Sequence, residues 1–136
     1  MVYKHRPATN KQETLMDPET FRALCLQKPG TSECFPFDED TLVFKVGPKM
    51  FALMSLEKTP VTANLKCDPD RALDLRDQYD AIQPGYHMSK KHWNTLHLEG
   101  DLPDKLLREL ITHSYDLVLQ SLTRKERLAI TDPDKK

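Results

Sequence analysis

Glycine is scarce in this chain: four in 136 residues, none of them clustered. That excludes a glycine-rich loop of the kind that cradles phosphates. Cysteine is equally thin. Cys25, Cys34 and Cys67 are odd in number and widely spaced. None belongs to the close cysteine or histidine pairs of a zinc site, and reduced thiols in a cytoplasmic protein are the expectation. No apolar run is long enough to span a membrane. Lys4, His5 and Arg6 have no apolar block behind them, so no secretory signal is expected. Excess charge of one sign is missing too. The formal net charge is -1, which argues against a protein that is basic all over and leaves any nucleic-acid affinity to a local patch.

What the chain does contain is the material of one domain with one core, 38% apolar and 30% charged. Residues 1–15 read as a polar tail, and the natural start could lie at Met16. Asp17 and Pro18 form a helix opening, and Phe21, Leu24 and Cys25 share a face until Pro29 and Gly30 stop the helix. The period then changes. Leu42, Phe44 and Val46 alternate with Thr41, Val43 and Lys45, Gly47 and Pro48 turn the chain, and Met50 to Leu56 is apolar on both faces, as in a central strand. Val61, Ala63 and Leu65 alternate with Thr62, Asn64 and Lys66, giving a strand with one wet face. An edge strand around Glu33 to Phe37 is expected, since Pro36 is tolerated at an edge.

Asp68 and Pro69 open a second helix carrying Ala72, Leu75 and Tyr79. Gln83 to Leu98 reads as a loop and then a strand, with Leu96 and Leu98 inward and Thr95 and His97 outward. Pro103 starts a long helix with an apolar stripe running from Leu106 to Leu122. Thr123 to Ile130 adds a short helix, and 131–136 is a frayed end. The order predicts an α+β fold: an antiparallel sheet with helices packed on one face, in a single domain over 16–130.

The most informative stretch is Gln83 to Leu98. It holds the only tryptophan, Trp93, together with Lys90, Lys91, His87, His92, His97 and Asn94, and no acid lies between Asp80 and Glu99. A flat aromatic beside cations and amide donors could meet a phosphate backbone or a base. Lys66, Lys90 and Lys91 would neutralise phosphates, Tyr86, His87, His92 and Asn94 would supply hydrogen bonds, and Trp93 would stack or wedge. Plain structural readings stand beside these. The lysine pair suits a solvated turn, Trp93 suits a sheet-packing role, Pro84 and Gly85 suit loop geometry, and Tyr86 and His87 suit bridging the loop to the sheet.

Pro84-Gly85-Tyr86-His87-Met88, Lys91-His92-Trp93-Asn94-Thr95, Leu98-Glu99-Gly100 with Leu102-Pro103-Asp104, and Ser114-Tyr115 with Leu117-Val118 together carry a resemblance. Lys28-Pro29-Gly30 adds a weaker match. From about Asp17 to Leu122 the chain resembles the MmcQ/YjbR family of small bacterial proteins. The resemblance implies a sandwich fold similar to the bacterial frataxin CyaY. It also implies a likeness to the double-wing DNA-binding domain of a phage transcription factor, and hence a DNA-binding role.

Other chemistries are weaker in the residues. A frataxin-like cation site would need an acidic ridge, but the first helix has only Asp17 and Glu19 at its capping end, and Asp38, Glu39 and Asp40 suit a solvated turn. His87, His92 and His97 are five apart, which is not the helical spacing of a zinc pair, and an alternating strand would put His92 and His97 on opposite faces. His113, Ser114 and Asp116 lie too close along one helix to form a nucleophile, base and orienter. A sheet open on one face, presenting Thr62, Asn64, Lys66, Thr95 and His97, could instead bind a protein. The expectation is a cytoplasmic monomer, non-enzymatic, without cofactor and off the membrane, binding DNA or, alternatively, another protein.

Overall fold

Two aspartate-proline pairs start helices in this protein, and both do so in the same way. Asp17 accepts a hydrogen bond from Thr20 N at 2.8 Å and opens α1, Pro18–Leu26. Asp68 accepts from Arg71 N at 3.1 Å and opens α2, Pro69–Gln78. In each case the carboxylate satisfies an orphan N–H and the proline fills the first turn, where no donor is needed. The computed structural model describes residues 16–57, 61–85, 88–100 and 102–131. The tail expected over 1–15, and the frayed end beyond Thr131, lie outside the described residues.

Between and after these helices run β1 Thr31–Cys34, β2 Thr41–Val46, β3 Lys49–Ser55, β4 Thr62–Lys66, β5 Ile82–Pro84 and β6 Trp93–His97, followed by α3 Asp104–Ser121 and α4 Arg124–Thr131. The six strands form one antiparallel sheet in the order β1-β2-β3-β4-β6-β5. The apolar strand Met50 to Leu56 is indeed interior, with β2 and β4 on either side. The turn into it places Gly47 at φ 57°, a conformation glycine adopts without a Cβ penalty.

Two strand expectations are corrected. The first edge strand ends at Cys34, before Pro36, because the chain turns there into the Asp38 loop. Gln83 and Pro84, expected in a loop, belong to the short edge strand β5. Three residues carry too little periodicity to be seen in sequence, and Pro84 is tolerated because an edge strand leaves one side without ladder bonds.

The helices cover one face of the sheet. Leu42, Phe44, Ala63, Leu65 and Leu96 from the strands meet Phe21, Leu107, Ile111 and Val118 from the helices in one buried core. Met16, at the expected start of the ordered chain, is 2% exposed within it. The register of β2 against β3 shifts at Phe44 and Lys45, so that Phe51 is an extra residue. This bulge turns Phe51 into the core, where its ring meets Tyr115 edge to face at 5.5 Å.

Ser114 repairs the ladder beside that bulge. The β3–β4 register ends at Ala52 and Leu65. At the next step the Ser114 hydroxyl donates to Phe51 O at 2.6 Å and Lys66 N donates to Ser114 Oγ at 2.9 Å. A fully buried side chain thus satisfies two backbone groups that would otherwise be orphaned. The neighbouring Tyr115 donates its hydroxyl to Pro29 O at 2.6 Å. The Ser114-Tyr115 and Lys28-Pro29-Gly30 motifs therefore meet in space and hold α3 to the sheet and to the end of α1.

Candidate functional site

Within the stretch from Gln83 to Leu98, Gln83 and Pro84 close β5, residues 89–92 form a turn, and Trp93–His97 is β6. Gly85 N donates to Trp93 O at 2.8 Å, and His92 N and Trp93 N both donate to Ser89 O. Cys67 N donates to His92 O at 2.8 Å, joining the turn to the end of β4. A Cβ at Gly85 would stand 2.8 Å from Trp93 Cβ and Trp93 O, so only glycine allows this approach.

Lys90, Lys91 and His92 are exposed on the turn. Lys66 is half-buried and pairs in register with Trp93, on the sheet face opposite the helices. Trp93 is 8% exposed and belongs to a small open-face cluster with Leu53 and Val43, against which Met50, Met88 and Cys34 pack. It lies on the open face yet is covered, so stacking on a base would require displacing its neighbours. Asn94 points the other way, under α2, and is 2% exposed. Arg76 Nε donates to Asn94 Oδ1 at 2.7 Å, and Asn94 Nδ2 donates to Ala72 O at 3.5 Å. Arg76 Nη2 also donates to Lys90 O. Tyr86 and His87 lie outside the described residues.

The candidate residues therefore separate into two groups. Lys66, Lys90, Lys91 and His92 are grouped as surface cations and donors at one end of the open face. Trp93 and Asn94 anchor the turn from opposite sides. Sequence reasoning missed Arg76, which clamps the turn from α2, because nothing in a helical Asp-Leu-Arg-Asp run marks which charge turns inward.

The open face continues as two rows across the strands. Val43, Leu53, Asn64, Thr95 and Gln83 form one, and Thr41, Ser55, Thr62 and His97 the other. The face is expected to be wet, yet Thr62, Asn64 and Thr95 are 6%, 7% and 7% exposed. They line a cavity of about 910 Å³ walled by Phe37, Met50, Pro84 and Met88. Thr95 Oγ1 donates to Asn64 Oδ1 at 2.5 Å. Asp38, Asp40 and Glu57 line the same cavity, at the end beyond Thr41 and Ser55. Lys90 borders it from the turn before Trp93.

The remaining clusters serve the fold. The Asp38 carboxylate accepts from Asp40 N at 2.9 Å and Thr41 N at 2.8 Å, and the Asp40 backbone contact above all holds its pKa below the usual value. That is a turn-closing carboxylate. His113 Nε2 accepts from Asp68 N at 3.1 Å, and Ser114 is spent on the bulge. Among the described residues no three His, Cys, Asp or Glu side chains converge as a metal site would require. His92 sits in the turn rather than in the strand carrying His97. Burial pushes the Cys67 thiol up, against thiolate formation beside His92. Among the described residues no helix is long and apolar enough to cross a membrane.

The YjbR family model matches residues 26–117. The protein YbdF of Escherichia coli O157:H7 is 38% identical over 109 residues, covering 80% of this chain and 89% of YbdF. The protein YjbR of Escherichia coli K12 is 31% identical over 103 residues, covering 76% and 87%. The crystal structure of the Deinococcus radiodurans protein DR2400, classed as a DUF419 domain, superposes with a TM-score of 0.81 at 40% identity, over 92% of this chain and 95% of that one. A Pseudomonas syringae crystal structure gives a TM-score of 0.66 at 30% identity, over 75% and 98%. The chain belongs to the YjbR family.

Proposed function

We propose that this member of the YjbR family is a non-enzymatic DNA-binding protein that holds the phosphate backbone with the 89–92 turn and Lys66. The observation that carries the reading is the turn itself. Lys90, Lys91 and His92 are exposed together on a backbone braced by Ser89 O, by Cys67 N and by Arg76. A braced turn presents its charges with little ordering cost on binding, and no acid lies between Asp80 and Glu99 to oppose it. The double-wing likeness that the family resemblance implies supports the same reading.

With Trp93 and Asn94 occupied inside the protein, the contacts are to phosphate rather than to base edges, so the binding is weakly sequence-selective. Three lysines neutralising three phosphates imply a logarithmic salt slope of about -2.7, or about 40-fold weaker binding for a fourfold rise in salt. The protein acts as a cytoplasmic monomer without cofactor.

The test is fluorescence polarisation with a mixed-sequence duplex and a single strand at two salt concentrations, on the native protein and on Lys90→Glu/Lys91→Glu. Salt-sensitive binding that the double variant abolishes is expected. Binding that the variant leaves unchanged, or none at low salt, defeats the reading.

One observation favours a protein partner as the second reading. Phe35, Phe37 and Leu56 are 49%, 65% and 41% exposed, and Phe37 is part of the cavity wall on the open face. An apolar interface of that kind would hold through the salt change that weakens phosphate contacts.

A further inference from the structure

The cavity on the open face holds hydrogen-bonding capacity that the fold does not use. Thr62 is 6% exposed and Asn64 7%, and both line the cavity. Among the described residues the Thr62 hydroxyl makes no hydrogen bond, and the Asn64 side chain is engaged only through its oxygen, by Thr95 Oγ1 at 2.5 Å. A buried donor left unmade is costly, and natural proteins keep few of them. Two side by side on the floor of a roughly 910 Å³ cavity are the polar groups that orient a ligand in an otherwise apolar site.

The charge at one end of the cavity says what kind of ligand. Asp40 and Glu57 line it, their segments joined where Leu56 N donates to Asp40 O at 2.7 Å. Neither carboxylate forms an ion pair among the described residues. The Phe37 ring stands at the same end, 65% exposed. Carboxylates beside an open aromatic face recognise an organic ammonium or guanidinium group, by charge on one side and by the ring quadrupole on the other. An inorganic cation would have no use for the ring or for the amide N–H₂ of Asn64, which donates and cannot coordinate.

We infer that the open-face cavity is a binding site for a small organic cation, an amine or guanidinium compound. Its charged end lies between Phe37, Asp40 and Glu57, and its body bears an acceptor for Asn64 and a hydrogen-bonding group for Thr62. Along β4, Thr62 at the acidic end and Lys66 beside Trp93 are four positions apart, about 13 Å, so the two ends of the face serve opposite charges. Phosphate meets the lysine turn and the amine meets the carboxylates, and the two sites fail under different substitutions.

The test is calorimetric titration of the full-length protein with arginine amide, lysine amide and N-acetylputrescine, each a cation that carries an amide acceptor, and with N,N′-diacetylputrescine as an uncharged counterpart. Saturable 1:1 binding of at least one cation is expected at concentrations up to about 10 mM, with none for the uncharged compound. Asp40→Asn/Glu57→Gln, at exposed positions that spare the core, should weaken that binding at least tenfold with an unchanged melting temperature. Thr62→Val, close in shape, should weaken it as well. Lys91→Glu, which lies outside the cavity lining, should leave the cation bound while weakening DNA affinity. The inference is overturned if none of the three cations binds saturably, if the uncharged compound binds as well as they do, or if the double carboxylate variant binds them unchanged.

Discussion

Arg76 and Asn94 form the joint between the second helix and the strand that follows the lysine turn. Arg76 Nε donates to Asn94 Oδ1 at 2.7 Å, and the same guanidinium donates to Lys90 O. One side chain thereby ties α2, β6 and the turn together. Arg76→Ala should cost about 1.5–3 kcal/mol in urea unfolding, because it removes charge-assisted bonds and leaves the buried Asn94 oxygen unpaired. Hydrogen exchange at Lys90 to His92 should accelerate with it. A variant as stable as the native protein would show that the joint carries no weight.

Trp93 belongs to the protein's own packing rather than to a ligand surface. It is 8% exposed, in one apolar cluster with Leu53 and Val43. Its emission should accordingly change little when DNA binds at the neighbouring turn. Trp93→Ala should instead destabilise by about 3–5 kcal/mol, the usual result of emptying a packed aromatic site. Strong quenching of Trp93 on DNA binding would mean that the ring leaves this pocket to stack.

Ser114→Ala should destabilise by about 1–3 kcal/mol through the two backbone groups it abandons, Phe51 O and Lys66 N. The loss should be read by thermal or urea unfolding. A Ser114→Cys variant, which keeps a weaker donor and acceptor, should fall between the two.

Stability should decline as pH drops below the ordinary histidine range. His113 accepts the Asp68 N–H through Nε2, which requires the neutral ring. Burial first, and Arg71 second, lower its pKa from 6.5. The folded state therefore disfavours protonation relative to the unfolded chain. The stability this contributes is complete above 6.5 and is lost as pH falls toward the lower folded-state value. Glu33, held down chiefly by its Arg22 hydrogen bond, and Asp17 and Asp38 add losses only in the more acidic carboxylate range. His113→Gln should flatten the upper part of the stability-against-pH curve and leave the acidic part in place.

Gly85→Ala should destabilise by about 1–3 kcal/mol, since its Cβ would meet Trp93 Cβ and Trp93 O at 2.8 Å and force the backbone apart. The same variant should weaken DNA binding by loosening the turn. An unperturbed melting temperature would show that the strands separate freely there.

Much of this protein is decided by local signals. The caps at Asp17 and Asp68, the turn at Gly47, the alternation in β2 and β4 and the stripe along α3 each report backbone conformation within a few residues, so the α+β class and the interior position of β3 follow from the chain alone. What needed the tertiary structure is everything set by partners distant in sequence. The three-residue strand β5 exists because β6 lies beside it. Ser114 and Tyr115, so prominent as a motif, are spent on a bulge at Phe51 and a carbonyl at Pro29. Thr62, Asn64 and Thr95 occur where alternation places a wet face and are instead 6–7% exposed in a cavity. Trp93 and Asn94, adjacent in the richest stretch of the sequence, point to opposite faces and are both buried, because neighbouring residues of a strand must part. Sequence adjacency placed them in one site; the pleat of β6 and the reach of Arg76 took them out of it and left the lysine turn exposed.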